Sequence, residues 1–437
     1  MRIAIFGKYP PIQGGVSRQI HLTAHQLARR GHEVFVVTNA NEVEISCRQL
    51  FIHDDNDRLD GMYPPHGSVK VLSTSGMSPS DYIPWAQPFA SKLFGLGMEV
   101  LSSTDFDVIV GWYLEPYGLV ASQLSKVAGI PLVLRHAGSD VGRLIDHPNL
   151  RPAYEWSLSN ADRVLTDART QPLLHAMGAN KDAIRVIVGS QIPSYFSRTG
   201  PVLDLPVLTS TALEVFSSAR IGPIPKSVLQ QGFENSSILS EPTPIIGTYG
   251  KVGRTKGSYD LLDALDTLLE SGLEFHFVTL SGGQSHMFDA YLKNLAERSN
   301  LRKQTVTLPF IAPWRVPEYL RLCDMVCVLE RDFPIEQHRP RVPTEVMAGG
   351  TTLVCSGEVA DKQTFANSLV DRRNYLRVDD PRDGTSLLKA LVFALENDTY
   401  CRDVAAHGAA LVRTLNKETQ PVDAYADAIE QAGVELS

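Results

Sequence analysis

Two short stretches of this chain bring together residue types that bind phosphate and sugar hydroxyls. The first, Gly250-Lys251-Val252-Gly253-Arg254-Thr255-Lys256-Gly257, puts cations on a glycine-rich turn between an apolar run and a helical pattern. The backbone N–H groups of such a turn, with cations beside them, hold anions such as a diphosphate. The second, Pro343-Thr344-Glu345-Val346-Met347-Ala348-Gly349-Gly350, puts one carboxylate near a helix start. A nucleotide-sugar offers a diphosphate to cations and N–H groups and ribose hydroxyls to a carboxylate, so one ligand could satisfy both stretches.

Each of these residues also has a plainer reading. Lys251 and Lys256, taken singly, are solvated surface lysines. Their setting among Gly250, Gly253 and Gly257, after a strand and before an amphipathic helix, favours phosphate. Arg254 is either a third cation or a solvent-facing side chain. Glu345 could only complement the dipole of the helix Thr344 to Ala348. Ahead of it, the polar run Glu330 to Arg341 follows a buried-looking strand. Such a run at a strand's carboxyl end is typical of binding loops, and a solvated charged loop is the alternative.

Further candidates lie in the first half. Pro10-Pro11-Ile12-Gln13-Gly14-Gly15-Val16 turns the chain after its first strand, either as a tight turn or as a place where a ligand approaches backbone. It lacks G-x-G-x-x-G spacing, so NAD is not expected and no cofactor is implied. His136 and Asp140, in Arg135-His136-Ala137-Gly138-Ser139-Asp140, follow a strand at its carboxyl end. A loop histidine is commonly structural, but that end of a parallel sheet is where ligands bind.

The elements that position these residues alternate between strand-like and helix-period segments, the pattern of parallel βαβ units. In the first half the strand candidates are Arg2 to Phe6, Glu33 to Thr38, Val108 to Gly111, Leu132 to Leu134, Arg163 to Thr166 and Ile184 to Val188. Between the first two, Ile20, Ala24, Leu27 and Ala28 repeat at helical spacing, with Gly31 as a stop. In the second half they are Ile245 to Thr248, Glu274 to Val278, Thr305 to Leu308, Met325 to Val328, Thr352 to Cys355 and Tyr375 to Val378. The helix after the glycine-rich turn carries Leu261, Leu262, Leu265, Leu268 and Leu269 on one stripe, with Ser258 a candidate cap. From about Pro193 to Pro244 the chain is rich in Ser, Pro and Gly and weakly periodic. It reads as a linker with some local helix, such as Ser227 to Gln231. The fold class is therefore α/β, two doubly wound parallel-sheet domains in tandem, with the site expected in a central cleft facing the carboxyl ends of both sheets.

Composition agrees. With 437 residues the chain is too long for one ordinary core. A hydrophobic content of 43% with 21% charged residues is that of a globular protein. A net charge of −8 leaves no global basic field, so nucleic acid is not an expected partner. Met1 to Phe6 is too short for a signal-peptide core and reads as a strand, and no apolar stretch approaches the roughly 20 residues that span a bilayer. The expected location is cytoplasmic. Five cysteines, Cys47, Cys323, Cys327, Cys355 and Cys401, form neither a disulfide framework nor a zinc pattern, and buried inert thiols are expected at Cys323 and Cys327.

In this order the residues resemble the retaining nucleotide-sugar glycosyltransferases of family four, the glycosyl transferases group 1, which have the two-Rossmann GT-B architecture. The likeness spans nearly the whole chain. Gly14-Gly15 with Gly31-His32-Glu33-Val34 looks like the family's glycine loop and following strand, and Ala161 to Val164 and Arg185 to Ile187 look like its later strands. Gly250-Lys251 through Lys256-Gly257 is similar to its G-R-x4-K-G phosphate clamp, with lysine where arginine is usual. Lysine keeps the charge and loses the bidentate fork. The family also has two glutamates separated by seven residues. Glu345 matches the second, which lies by the ribose. At the first position stands Gln337, with Glu336 one residue off register, so Glu330, Glu336, Gln337 and His338 all become candidates for the donor sugar. The turn that usually closes the first domain is replaced by Gly189-Ser190-Gln191-Ile192-Pro193.

The resemblance implies glycosyl transfer from a nucleotide diphosphate sugar with retention of configuration. It implies no metal, because cations and helix N-termini stabilise the leaving diphosphate. His136 would orient the donor sugar, and Gly15 N–H would approach phosphate or acceptor. The implied domains are residues 1–200 for the acceptor, 201–240 as linker, 241–420 for the donor, and 421–437 as a C-terminal helix able to cross back to the first. The acceptor is undefined: a glycan, a lipid-linked or a small molecule, with peripheral membrane contact compatible. Two other readings stay open, a nucleotide-sugar epimerase or hydrolase of the same fold, and a nucleotide-binding scaffold without catalysis.

Overall fold

The computed structural model describes residues 1–75, 88–188, 192–193, 195–196, 199–217, 224–236, 243–282, 285–334, 338–418 and 420–435. The chain divides into two compact units. One comprises Met1–Glu44, His53–Gln191 and Thr419–Ser437, and the other Ile45–Ile52 and Ile192–Glu418.

The first unit is built on an eight-stranded sheet. Its strands are β1 (Arg2–Gly7), β2 (Glu33–Thr38), β3 (Gly61–Tyr63), β4 (Gly67–Ser73), β5 (Val108–Trp112), β6 (Leu132–Arg135), β7 (Arg163–Thr166) and β8 (Ile184–Val186). They lie in the order β3-β4-β2-β1-β5-β6-β7-β8, parallel except for the antiparallel pair β3 and β4. The chain winds outward from β1 on one side and returns at β5 on the other, so β1 and β5 mark the switch point.

Both faces of this sheet are covered, which is why its strands read as continuous apolar runs. In β1, Ile3 and Ile5 face one core with Ile20, Ala24 and Leu27 of helix Gly15–Arg29. Ala4 and Phe6 face the other, with Leu93 of helix Phe89–Ser103 and Val120 and Leu124 of helix Leu119–Ala128. The C-terminal helix Pro421–Glu435 joins the first of these cores through Tyr425, Ala426, Ile429 and Ala432. Arg30 holds it at the rim through Asp423 at 2.8 Å, Asp427 at 2.6 Å and Glu430 at 3.0 Å.

The second unit carries a six-stranded, all-parallel sheet of β9 (Ile245–Lys251), β10 (His276–Gly282), β11 (Thr305–Leu308), β12 (Met325–Val328), β13 (Thr352–Ser356) and β14 (Leu376–Val378). The order β11-β10-β9-β12-β13-β14 places its switch point between β9 and β12. Cys323 and Cys327 are buried in its core, and burial pushes the Cys327 thiol up to about 12.

Several local expectations needed revision. β9 runs past Thr248 to Lys251, because Gly250 and Lys251 continue the ladder opposite Ser281 and Gly282. β3 and β4 were not anticipated. β3 has only 3 residues, and β4, with 7, is only partly buried, so burial does not imprint a continuous apolar run on them. In the stretch read as a linker, the helix expected at Ser227 to Gln231 is present as Lys226–Ser236, and a second, unanticipated helix, Leu205–Ser217, precedes it, both within the second unit. Asn235 Nδ2 donates to the carbonyls of Thr305 at 2.8 Å and Arg302 at 3.1 Å, fastening the helix Lys226–Ser236 at β11. The segment Ile45–Ile52 also belongs to this unit, where Leu50 N–H donates to Phe310 O at 2.6 Å. Among the described residues, no helix is long and apolar enough to cross a membrane.

Candidate functional site

The glycine-rich turn begins on the last residues of β9 and ends in helix Ser258–Glu270. A single turn of 3-10 helix, Arg254–Lys256, lies between them. Gly257 closes it at φ 67°, and a Cβ there would lie 2.2 Å from Leu329 O. Both the backbone region and the close approach demand glycine. Ser258, expected as a cap, is instead the first helical residue, and its Oγ accepts the Gly253 N–H at 3.1 Å. The loop after β12 is fastened to the turn through Arg331. Its N–H donates to Thr255 O at 2.9 Å, and its guanidinium straddles Asp260 at 2.9 and 3.2 Å.

That fastening brings sequence-distant groups around Lys256. Its ammonium donates to the Glu330 carboxylate and lies 3.9 Å from the centre of the Phe333 ring. Glu330 is 7% exposed. His338 Nε2 lies 3.3 and 3.4 Å from its two oxygens, and the His338 ring packs 4.3 Å from Phe333. Burial pushes Glu330 upward, but the His338 hydrogen bond and the Lys256 charge outweigh it and hold the carboxyl below its ordinary value. For Lys256, burial dominates and is reinforced by the charges of Lys251 and Lys362, so its pKa is lowered despite Glu330.

Lys251 and Arg254 are exposed on the turn. Lys362, which the sequence reading did not include, lies 5.8 Å from the Phe333 ring and is paired with Glu358 at 2.5 Å. Its signal was the Ser356 cap of helix Gly357–Asp361, at the carboxyl end of the strand next to β12. Phe333 was missed as well, since nothing in the charged run marks an aromatic as a cation's seat.

Glu345 lies in helix Val342–Gly349 and is buried. Tyr249, the residue before Gly250, donates its hydroxyl to Glu345 Oε2 at 2.6 Å. Lys256, Glu330 and His338 thus form one cluster, and Glu345 is tied through Tyr249 to the strand that leads into the turn. Glu336 and Gln337 lie outside the described residues.

The remaining candidates belong to the first unit. Gly14 has φ 120°, Gly15 opens helix Gly15–Arg29, and nothing lies within 4 Å of a Cβ built on either. Both are exposed, so a ligand can approach the backbone of this helix start. His136, just after β6, is buried, with Nε2 2.7 Å from Thr166 Oγ1. Burial foremost, then the Arg135 charge, push its pKa well below 6.5, so the ring is neutral at physiological pH. Asp140 is a brace: its carboxylate accepts the N–H groups of Leu114 at 2.9 Å, Ala137 at 2.9 Å and Val141 at 3.0 Å, tying the loops after β5 and β6 together.

Two switch-point sheets, one carrying cations and a carboxylate at its strand ends, define the GT-B class of glycosyltransferase. The glycosyl transferase 4-like domain family matches residues 14–188 and the glycosyl transferases group 1 family matches residues 231–409. The chain belongs to the group 1 glycosyl transferases. By structure it is similar to sucrose-phosphate synthase from Thermosynechococcus elongatus, at 16% identity and TM-score 0.59, covering 100% of this chain and 98% of that one. It is similar also to Anabaena HepE in complex with UDP-glucose, at 14% identity and TM-score 0.59, covering 98% and 100%. A putative UDP-N-acetylglucosamine 2-epimerase from Listeria monocytogenes has the same fold, at 13% identity and TM-score 0.52, covering 100% and 97%. No curated protein matches the chain by sequence.

Proposed function

We propose that this chain transfers a glycosyl group from a nucleoside diphosphate sugar to an acceptor bound by the first unit, with retention of configuration and without a metal ion. The observation that carries the reading is the Tyr249 to Glu345 hydrogen bond, which ties a buried carboxylate to the strand leading into the cationic turn, next to the switch point between β9 and β12. The diphosphate goes to Lys251, Lys256 and the N–H groups of the turn, with Arg254 at its rim, and the ribose hydroxyls to Glu345. Glu330 and His338 are assigned to the sugar side, together with Glu336 and Gln337. HepE, whose structure holds UDP-glucose, supports a donor of this class.

Negative charge gathers on the diphosphate as the glycosidic bond breaks. Fixed cations and N–H dipoles stabilise that charge without reorganising, which is the principal help such a step needs. The neutral imidazole of His136 is assigned to orienting a sugar hydroxyl, and the Gly14 and Gly15 helix start to backbone contacts.

A thermal-shift screen of nucleoside diphosphates and their sugars identifies the donor, since a ligand that binds only the folded state raises its apparent stability. Turnover of that donor is then compared in Lys256→Ala and Glu345→Ala, with the product anomer read by NMR and the assay repeated in EDTA. Unchanged turnover in both variants rejects the site. Sugar products formed without acceptor would point instead to a hydrolase or epimerase of the same fold.

A further inference from the structure

Tyr249 reaches from the strand carrying the cationic turn to the Glu345 carboxylate of the following half-sheet. We infer that Tyr249 is a positioning residue: its hydroxyl fixes the Glu345 carboxylate so that it accepts the ribose hydroxyls, and it thereby sets the preference for ribonucleotide over deoxyribonucleotide donors. The inference rests on the assignment of Glu345 to the ribose.

The strand itself dictates where the hydroxyl goes. β9 reads Ile245-Ile246-Gly247-Thr248-Tyr249, and a Cβ at Gly247 would lie 2.6 Å from Tyr319 Oη and 2.6 Å from Cys323 Sγ. The missing side chain at Gly247 is what lets Tyr319 pack beneath the strand. Tyr319 is fully buried, and its hydroxyl lies 2.9 Å from Val278 O and 3.0 Å from Thr248 O. The ring of Tyr249 packs edge-on against it, with centroids 5.7 Å apart at 77°. A tyrosine seated this way has few rotamers left, so its hydroxyl is delivered to one place, 2.6 Å from Glu345 Oε2.

The other end of the contact is equally constrained. Helix Val342–Gly349 stops at Gly350, in the left-handed region at φ 70°, and turns straight into β13. Val346 and Met347 are buried in the core of this unit, so the helix has little freedom to rotate Glu345. A carboxylate has about four lone-pair directions, and one tyrosine hydroxyl occupies one of them. The tyrosine hydroxyl thereby fixes the orientation of the carboxylate, and so the directions from which ribose hydroxyls reach it. A charge-assisted hydrogen bond of this kind is short and directional, as this one is.

The test is the binding ratio of matched ribo- and 2′-deoxyribonucleoside diphosphates (UDP and dUDP, GDP and dGDP, ADP and dADP), measured by calorimetry on the full chain. The pair that the wild type binds is used for Tyr249→Phe, Glu345→Gln and the double variant. Tyr249→Phe keeps the ring on Tyr319 and loses only the hydroxyl, and its unliganded melting curve controls for folding. The expected result is a ribo-to-deoxyribo preference that falls about five- to ten-fold in Tyr249→Phe, the scale of one lost hydrogen bond to a charged group. Glu345→Gln should lose it too, and the double variant should lose no more than the worse single variant. A Tyr249→Phe protein that keeps the wild-type preference overturns the inference and leaves the ribose assignment intact. If the wild type binds these diphosphates with no preference, or binds none of them, the assignment of Glu345 itself fails and the inference falls with it.

Discussion

Lys256 and Glu330 form an ion pair across the carboxyl ends of β9 and β12, with the ammonium also seated 3.9 Å above the Phe333 ring. The cation proposed for the diphosphate is therefore already occupied by an internal carboxylate. An arriving diphosphate must share Lys256 with Glu330, and two anions on one ammonium repel each other.

Glu330→Gln separates these effects. The amide keeps the shape and removes the negative charge, so affinity for a bare nucleoside diphosphate should rise about three- to ten-fold, the worth of one relieved charge contact. Turnover of the full donor should fall, because one of the two charged acceptor oxygens offered to the sugar is replaced by a donor. Calorimetry with the diphosphate and a steady-state assay with the donor read the two separately. A Glu330→Gln protein that binds the diphosphate no better than wild type shows that Lys256 is not held back by its partner.

Two glycines at the proposed ligand surfaces should behave oppositely. Gly257 sits at φ 67° with Leu329 O 2.2 Å from any added Cβ, so Gly257→Ala must move the turn and the β12 loop together. A cost of about 2 to 4 kcal/mol is expected from strain and clash combined, with nucleotide binding lost. Gly15 opens a helix with nothing within 4 Å of its Cβ position. Gly15→Ala should leave the melting temperature unchanged or slightly raised, since alanine favours the helix, while turnover drops if a ligand approaches that backbone. Equal stability losses in the two variants would contradict the geometry.

Acid should destabilise the first unit through His25. Its ring is 6% exposed, Nε2 is 3.1 Å from the Tyr9 hydroxyl and Nδ1 is 2.5 Å from the Tyr63 hydroxyl. Burial foremost, and then the charges of His21 and Arg29, lower its pKa from 6.5 to about 3. The unfolded chain thus binds a proton between these values that the folded chain refuses. Stability is full above about pH 6.5 and is lost as pH falls toward 3, by about 1.4 kcal/mol per pH unit. Glu330 has its folded pKa lowered too, from 4.5, so its share is present above that value and is lost only below it. Burial also lowers His21, to about 4, and His136, so they share the acid loss, and urea titrations at pH 7.5 and pH 5.0 should show a loss that is smaller in His25→Gln than in wild type by about 2 kcal/mol, the share of one histidine. Parallel losses in the two proteins would sink the assignment to His25.

What the sequence disclosed of all this follows from which forces leave a local trace. Strands buried on both faces, such as Met325–Val328, are apolar throughout, and such apolar runs placed both sheets. The helix Leu205–Ser217 is also apolar, but its Ser and Thr residues blur its periodicity, and it packs on the helix Lys226–Ser236, which is itself seated far along the chain at β11. The turn with Lys251 and Lys256 was legible because glycines and cations are adjacent in sequence. Its partners were not. Glu330 looked like one of several charges in a polar loop, and Tyr249 like an ordinary strand residue, since only the pairing of β9 with β12 brings them to the site.

The C-terminal helix tests which force holds it, and the magnitudes differ enough to decide. Arg30 meets three carboxylates, but Asp427 is 56% exposed and Arg30 itself 26%, so water screens the cluster. Arg30→Ala should cost about 1 kcal/mol. Tyr425 is 4% exposed, packs 5.1 Å from the Trp112 ring and lies with its hydroxyl 3.2 Å from Arg135 Nε. Tyr425→Ala would open a cavity against β5 and leave that guanidinium without this partner, for about 3 to 5 kcal/mol. Urea unfolding followed by Trp112 fluorescence measures both. If the helix is seated by burial, Tyr425→Ala also releases it to limited proteolysis near Gln420 while Arg30→Ala does not, and the reverse order would make the carboxylate cluster the dominant clasp.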